Sequence, residues 1–159
     1  TLGCLRAVDR LEAEGFRPAR VADVGAGTAV LAMAAALAWP EAAVVAGDND
    51  PVAVETARAN LAANGLDGRV EAVEAEGFAA PALAGPFDLI LANILKGPLI
   101  ALAPDAAAAL APGGRVVLSG LLSPQADEVA AAYVGEGLRE VSREEVGEWA
   151  TVLLAAPGS

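Results

Sequence analysis

Two glycines one residue apart, Gly25 and Gly27, follow an apolar run that contains Asp23. Glycine has no Cβ atom, so the backbone at these positions can bend sharply and approach a ligand closely. A threonine and an alanine-rich stretch come next, which predicts that a helix begins directly after the turn. The N–H groups at the start of that helix are expected to face a ligand. The pattern predicts either a nucleotide-like cofactor or a tight strand-to-helix turn without one.

Asp48 lies at the end of the second predicted strand, at the distance from Gly25 that is typical of a ribose-binding acid. A carboxylate in this place can accept hydrogen bonds from both ribose hydroxyls of an adenosine. The alternative role is a helix cap, but Asp50 directly precedes Pro51 and is better placed for that. We therefore assign Asp48 to the ribose.

Three further polar residues follow predicted strands. Asp23 either orients the glycine turn or meets an amino group of the ligand, and a purely structural role is equally compatible. Glu76 follows the third strand, where an adenine edge is expected, and the alternative is a turn. Asn93 ends the fourth strand at the edge where such folds bind ligands. Its carbonyl can accept from an amine whose lone pair faces an electrophilic methyl group, so we predict Asn93 as the catalytic residue, with turn initiation as the alternative.

The elements that position these residues alternate between strand and helix and end in two strands joined around Gly147. Alternation predicts an α/β, doubly wound, Rossmann-like fold with a mostly parallel seven-stranded sheet and right-handed crossovers. The short last connection requires an antiparallel hairpin, which is typical of methyltransferase sheets. The predicted helices are Leu2–Glu14, Thr28–Ala38, Pro51–Asn64, Leu99–Leu110 and Pro124–Glu136. The predicted strands are Arg20–Val24, Ala42–Gly47, Arg69–Ala75, Pro86–Ala92, Arg115–Ser119, Leu138–Glu144 and Trp149–Ala155.

Composition limits the class of protein and its partners. With 159 residues the chain is expected to form one domain with a substantial core. It has 21 acidic and 10 basic residues and a formal charge of −11, which disfavours direct binding to nucleic acid and suits a basic protein partner. With one cysteine and no histidine, neither a disulfide, nor a zinc site, nor a histidine base is expected. No apolar run suggests a membrane segment and no signal peptide is visible, so we expect a cytoplasmic protein.

Four motifs in this order resemble those of a known family. They are Asp23–Gly27 (Asp-Val-Gly-Ala-Gly), Asp48–Pro51 (Asp-Asn-Asp-Pro), Asn93–Leu95 (Asn-Ile-Leu) and Gly147–Thr151 (Gly-Glu-Trp-Ala-Thr). The chain resembles S-adenosylmethionine-dependent methyltransferases and, more narrowly, the family that methylates ribosomal large-subunit protein eleven (L11). The first two motifs are shared widely among methyltransferases, whereas the last two are more specific to this family.

The resemblance implies a catalytic domain over residues 1–159 that uses S-adenosylmethionine. It implies cofactor contacts at Gly25, Asp48 and Asn93, and Thr1 stands where the family has a cofactor-contacting threonine. It also implies a separate N-terminal substrate-recognition domain, which this sequence lacks. Ala29 replaces the usual last glycine of the turn, and we expect it either to crowd the methionine part of the cofactor or to shift the helix.

The activity that the resemblance implies is methylation of amino groups, on lysine side chains or an N terminus, of a ribosomal protein. A neutral amine attacks the sulfonium methyl group directly, so positioning supplies most of the acceleration and no metal is needed. Three alternatives stay open. They are a methyltransferase for a small molecule or another macromolecule, a nicotinamide-dependent oxidoreductase disfavoured by the hairpin, and a cofactor-binding module without turnover.

Overall fold

The computed structural model of the chain describes residues 1–158. Its strands are β1 Arg20–Val24, β2 Ala43–Asp48, β3 Val70–Glu74, β4 Phe87–Asn93, β5 Leu110–Leu122, β6 Arg139–Val146 and β7 Trp149–Ala155. Its helices are α1 Leu2–Ala13, α2 Val30–Ala38, α3 Pro51–Ala63, α4 Lys96–Ala108 and α5 Ala126–Val134. Within the described residues, no helix is both long and apolar enough to cross a membrane.

The seven strands form one sheet in the order β3-β2-β1-β4-β5-β7-β6. The first five strands pair in parallel, and β7 lies antiparallel between β5 and β6. This arrangement confirms the predicted mostly parallel sheet with a C-terminal antiparallel hairpin. The chain moves outward from β1 to β3 and then returns to the other side of β1 through β4. The order of strands therefore switches between β1 and β4, which is where open α/β sheets form ligand crevices.

Apolar side chains cover both faces of the sheet, as expected for central parallel strands. On one face, α1, α2 and α3 pack against strand residues such as Val21 and Leu89. On the other, α4 and α5 pack against residues such as Ala22 and Ile90. The buried Tyr133 hydroxyl of α5 donates to the Leu99 carbonyl of α4 at 2.8 Å, which ties these two helices together.

The structure corrects the sequence-based prediction at several points, one of which is the start of α4 at Lys96 rather than Leu99. The alternation is interrupted between β3 and β4, where the connection contains only the 3₁₀ helix Pro81–Leu83. Glycines and prolines are dense in this connection and oppose a regular α-helix. The second helix begins at Val30 rather than Thr28. Strand β5 begins at Leu110, because Leu110 pairs with Phe87 before the chain bulges over residues 111–114 and resumes pairing at Arg115.

The outer edge strand β6 carries mainly charged and exposed side chains. Arg143 makes ion pairs with Glu140 at 2.9 Å and with Asp127 at 2.7 Å, and Arg6 of α1 pairs with Glu144 at 2.7 Å. Two residues, Gly147 and Glu148, connect β6 to β7, which confirms the predicted tight hairpin. These ion pairs connect β6 to α1 on one face of the sheet and to α5 on the other.

Ala29 adopts the backbone conformation that glycine normally provides. Its φ is +68°, it directly precedes α2, and its side chain is completely buried. Left-handed backbone costs an alanine about 1–2 kcal/mol, because its Cβ approaches the following carbonyl oxygen. The glycine missing from the expected motif is thus replaced by a residue held in the same conformation at an energetic cost.

Replacing Ala29 with glycine should change the free energy of unfolding by less than about 0.5 kcal/mol. Relief of the left-handed strain offsets the loss of one buried methyl group and the greater flexibility of the unfolded chain. The matched control is Ala35→Gly, which removes an equally buried methyl group inside α2 without relieving strain. It should destabilise by about 1.5–2 kcal/mol in urea titration. Equal losses for the two variants would contradict the strain at Ala29.

Candidate active site

A cavity of about 520 Å³, called the first cavity from here on, lies at the carboxyl edge of the sheet, at the switch in strand order. Gly25, Asp48 and Glu76, all predicted as cofactor-binding residues, line this cavity. Much of the remaining wall is apolar and includes Ala75, Pro98 and Leu102. The structure therefore brings a glycine turn and two carboxylates to one side of a cavity whose other side can contact a flat apolar ring.

The amides of the glycine turn donate hydrogen bonds to the end of β2. The amides of Gly25 and Ala26 donate to the Gly47 carbonyl at 2.8 and 2.9 Å. The amide of Gly27 donates to Asp48 Oδ2 at 2.9 Å. These three amides bind the end of β2 rather than facing a ligand. Their effect is to hold the turn against the strand that supplies Asp48. The expectation that N–H groups at the start of the helix face a ligand concerns the residues that follow and stays a prediction.

Gly25 has a steric reason to be glycine. Its φ is +71°, and a Cβ atom added there would lie 2.5 Å from Ile94 Cγ2. Ile94 follows β4 and also lines the first cavity. The loop after β4 therefore packs directly on the glycine turn, which no larger residue at position 25 would permit.

Asp48 is fixed by two backbone amides rather than being free. Its Oδ2 accepts from Gly27 and its Oδ1 accepts from Asp50 at 3.0 Å. Asp50 in turn caps α3 by accepting from the Val52 amide at 3.0 Å, as the sequence predicts. A carboxylate offers about four lone-pair sites, so each oxygen of Asp48 retains capacity for one more donor. That is the capacity needed for two neighbouring hydroxyls.

Glu76 lies beside Asp48 at the rim of the first cavity. The Asn49 side chain donates to Glu76 Oε2 at 3.1 Å, and the Ala75 amide donates to the Asp48 carbonyl at 2.9 Å. Asp105 of α4 adds a third carboxylate to the lining. The described wall contains no basic side chain, so this cavity favours ligands that donate hydrogen bonds and disfavours phosphates.

Asp23 is buried below the turn and lines neither cavity. Its Oδ2 accepts from the Ala32 amide at 3.0 Å in the first turn of α2, whereas its Oδ1 has no hydrogen-bond partner in the described chain. Burial raises the pKa of this carboxyl to about 7, against the opposing effect of the Ala32 bond, and the nearby charge of Asp48 raises it further. The contact with α2 is structural, and contact with a ligand remains a prediction.

A second cavity, of about 290 Å³, contains two further predicted residues, Thr1 and Asn93. Gly27, also predicted to contact the cofactor, lines neither cavity. The Asn93 Nδ2 donates to Thr1 Oγ1 at 3.0 Å, although the two residues are 92 positions apart in the sequence. This bond fixes the amide so that its carbonyl oxygen remains available as an acceptor. A Cβ on Gly120 would lie 3.0 Å from that oxygen, so the glycine leaves space beside it.

The two cavities are separated by Asn93 and Ile94, which are adjacent in the sequence. Asn93 lines the second cavity and Ile94 lines the first. The loop after β4 is therefore a wall that both cavities share. A ligand that fills the first cavity and extends past this loop brings its far end close to Asn93.

Comparison with known proteins identifies the family. Residues 1–156 match the model of the family described as ribosomal protein L11 methyltransferase (PrmA). The chain belongs to the ribosomal protein L11 methyltransferase family. It is 48% identical over 160 residues to the ribosomal protein L11 methyltransferase of Bradyrhizobium diazoefficiens and 46% identical over 157 residues to that of Rhodopseudomonas palustris. The crystal structure of ribosomal protein L11 methylase from Lactobacillus delbrueckii superposes with a TM-score of 0.84 at 28% identity.

The match covers nearly all of this chain but a smaller share of each family member. The alignments cover 99% and 98% of this chain but 54% and 52% of the Bradyrhizobium and Rhodopseudomonas proteins. The superposition covers 96% of this chain and 79% of the Lactobacillus chain. The chain thus spans about half the length of the curated L11 methyltransferases that it matches.

Sequence reasoning missed four residues of the second cavity. Ser119 and Thr151 are buried hydroxyls, and Leu2 and Trp149 are exposed apolar side chains. Trp149 and Thr151 belong to the Gly147–Thr151 motif, which the sequence analysis used for the family resemblance but not for the site. Ser119 ends the predicted fifth strand, as Asn93 follows the fourth, and that shared position was the available signal.

Substitution of Asp23 by asparagine should alter how stability depends on pH. The pKa of Asp23 in the folded protein, about 7, exceeds its value in the unfolded chain. At pH values between these two pKa values the folded wild type binds more protons than the unfolded chain, so it loses stability as the pH rises. From about pH 5.5 to 8 this loss amounts to roughly 2 kcal/mol, and Asp23→Asn lacks it. Urea unfolding of both proteins across this range measures the difference. Parallel curves for the two proteins would show that the carboxyl titrates normally.

Proposed function

We propose that this chain binds S-adenosylmethionine in the first cavity and transfers its methyl group to an amino group of ribosomal protein L11. Membership of the L11 methyltransferase family supports the reaction and the protein acceptor. The two adjoining cavities support it independently, because methyl transfer requires a donor site and an acceptor site that meet. The single observation that carries the proposal is the carboxylate of Asp48, fixed by two amides on the wall of the first cavity.

The residues of the first cavity fit an adenosine. Asp48 keeps one acceptor site on each oxygen for the ribose hydroxyls, and Glu76 is placed to accept from an amino group at the edge of the base. Leu102 and Pro98 supply apolar contact for the ring. The absence of basic side chains from the described wall disfavours dinucleotides, which carry phosphates, and so favours this ligand over a nicotinamide cofactor.

Asn93, whose amide Thr1 holds, orients the acceptor at the shared wall, and both residues are also placed to contact the end of the cofactor that extends past this loop. When bound, S-adenosylmethionine supplies a methyl group on a positively charged sulfur, which a neutral amine can attack directly. Asn93 accepts an N–H from the amine through its carbonyl oxygen, because Thr1 already occupies its amide nitrogen. The hydrogen bond fixes the direction of the nitrogen lone pair. Such orientation, together with exclusion of water, accounts for most of the acceleration in a reaction of this type.

The charge of the chain suits a basic acceptor protein. A formal charge of −11 attracts cationic partners over a distance set by ionic strength, and it speeds their association. Lysine-bearing surfaces of a ribosomal protein are such partners. Electrostatic attraction of this kind is not specific, so the choice of L11 rests on the family alone.

Asp48→Asn should weaken binding of S-adenosylhomocysteine by about 10-fold to 100-fold in calorimetric titration, because the ribose loses a charged hydrogen-bond partner. The matched control is Asp67→Asn, which makes the same charge change at an exposed position outside both cavities. It should leave the affinity within about twofold. Thermal unfolding of each variant checks that the glycine turn remains folded.

A second measurement tests the reaction itself. Incubation of the chain with S-adenosylmethionine and ribosomal protein L11 should add methyl groups to L11, detected by intact-protein mass spectrometry, and Asn93→Ala should abolish the transfer. Failure of the folded wild-type chain to bind S-adenosylhomocysteine would overturn the cofactor site. Binding of S-adenosylhomocysteine without methylation of L11 would overturn the proposal that this chain by itself transfers the methyl group to L11.

A further inference from the structure

The second cavity differs from the first in its electrostatics. None of the described side chains that line it is charged, although the chain as a whole carries a formal charge of −11. Its polar lining groups are instead neutral: the hydroxyls of Thr1, Ser119 and Thr151 and the amide of Asn93. A protonated amine would find no carboxylate among them, whereas a neutral amine would find several hydrogen-bond acceptors.

Two buried hydroxyls form one part of this lining. Thr151 Oγ1 and Ser119 Oγ lie 3.4 Å apart, and both side chains are more than nine-tenths buried. Thr151 has its place because Gly3 lacks a side chain: a Cβ there would lie 1.9 Å from Thr151 Oγ1. The pair is therefore built into the packing between α1 and the sheet and is not a surface feature.

The hydrogen bonds of Ser119 leave it able to accept one more. Among the hydrogen bonds of the described residues, its oxygen accepts only from Thr151 Oγ1. A hydroxyl oxygen has two lone pairs, so one remains. Ser119 and Asn93 both line the second cavity, and each can accept an N–H from a group placed there.

Apolar side chains surround the mouth of this cavity. Leu2 and Trp149 line it and are 55% and 54% exposed, and Leu122, which pairs with Trp149 across β5 and β7, is 39% exposed. We call these three residues the collar. Single exposed apolar side chains are common on protein surfaces, whereas several of them grouped at the mouth of one cavity mark a binding surface. An aliphatic stem can bury itself against such groups.

We propose that the second cavity takes the methyl acceptor as an uncharged primary amine on an aliphatic stem, with Ser119 as a second hydrogen-bond acceptor beside Asn93. The collar holds the stem. This inference rests on the proposed function for the reaction, but the binding of the amine can be measured separately. Under this proposal Ser119 is a positioning residue, and the collar determines which acceptors bind.

The chemistry requires the uncharged form. Two acceptors bind the two N–H groups of a primary amine and leave its lone pair free to face the methyl group. The lone pair forms the new N–C bond, the electrons of the C–S bond stay with sulfur, and the methylated nitrogen then releases one proton to solvent. A protonated amine has no lone pair to donate, and its burial without a counter-charge is costly.

The indole N–H of Trp149 provides a direct test by nuclear magnetic resonance. The chain has two tryptophans, and Trp39 is buried with its indole bonded to the Phe16 carbonyl at 2.8 Å, so it serves as an internal reference. The probe is 2,2,2-trifluoroethylamine, which is uncharged at neutral pH because fluorine lowers its pKa. Its comparison is ethylamine, which is protonated at that pH. Titrations are run with and without S-adenosylhomocysteine.

The uncharged probe should shift the Trp149 resonance saturably without shifting that of Trp39, and ethylamine should bind at least about 10-fold more weakly. Ser119→Ala should weaken the uncharged probe by about fivefold to tenfold, the effect of one lost hydrogen bond. Ser142→Ala, a serine of β6 outside this cavity, is the control and should have no effect.

Three outcomes would overturn the inference: no response at Trp149, equal affinity for the two amines, or unchanged affinity in a folded Ser119→Ala protein. The comparison of the two amines uses only the wild type, so it decides the matter even if the variant does not fold. Failure to bind S-adenosylhomocysteine would instead overturn the proposed function, and the titration without it would still decide the second cavity.

Discussion

The hydrogen bond between the Gly27 amide and the Asp48 carboxylate fixes the arrangement on which the candidate site depends. It joins the turn after β1 to the end of β2, and the Gly47 carbonyl reinforces it by accepting from the two preceding amides. A strand end and a glycine turn are each flexible alone, but five residues bonded in this way have few alternative conformations. The carboxylate therefore faces the first cavity in one orientation before any ligand arrives, which reduces the entropy lost on binding.

The second cavity depends on a different constraint, which is the close packing of α1 on the sheet. Gly3 lies against Thr151, and Thr1 accepts a hydrogen bond from Asn93. Neither contact joins residues near one another in sequence, so the second cavity exists only when the first helix and the last strand are both in place. The first cavity, by contrast, is formed by neighbouring β–α units.

This difference explains how much could be predicted from the sequence. The order of strands, the hairpin, and the cavity positions of Gly25, Asp48 and Glu76 follow from local patterns, because turns and strand ends have characteristic residue types. The acceptors of the backbone amides in the glycine turn could not be predicted, because every residue type except proline has the same backbone amide. Ser119 and Thr151 were missed because a serine or threonine in an apolar strand gives no sign of what packs opposite it.

The charged outer strand β6 has a consequence for behaviour at high concentration. A sheet that ends in unpaired backbone groups can add a strand from a second molecule, which is a common route to aggregation. Here Arg143 and Glu140 would have to lose water and partly exchange partners before another strand could dock, and β3 at the opposite edge is only five residues long and carries Glu71 and Glu74. Both open ends of the sheet are thus poor templates, so colloidal stability is built into the same hairpin that places Trp149 at the mouth of the second cavity.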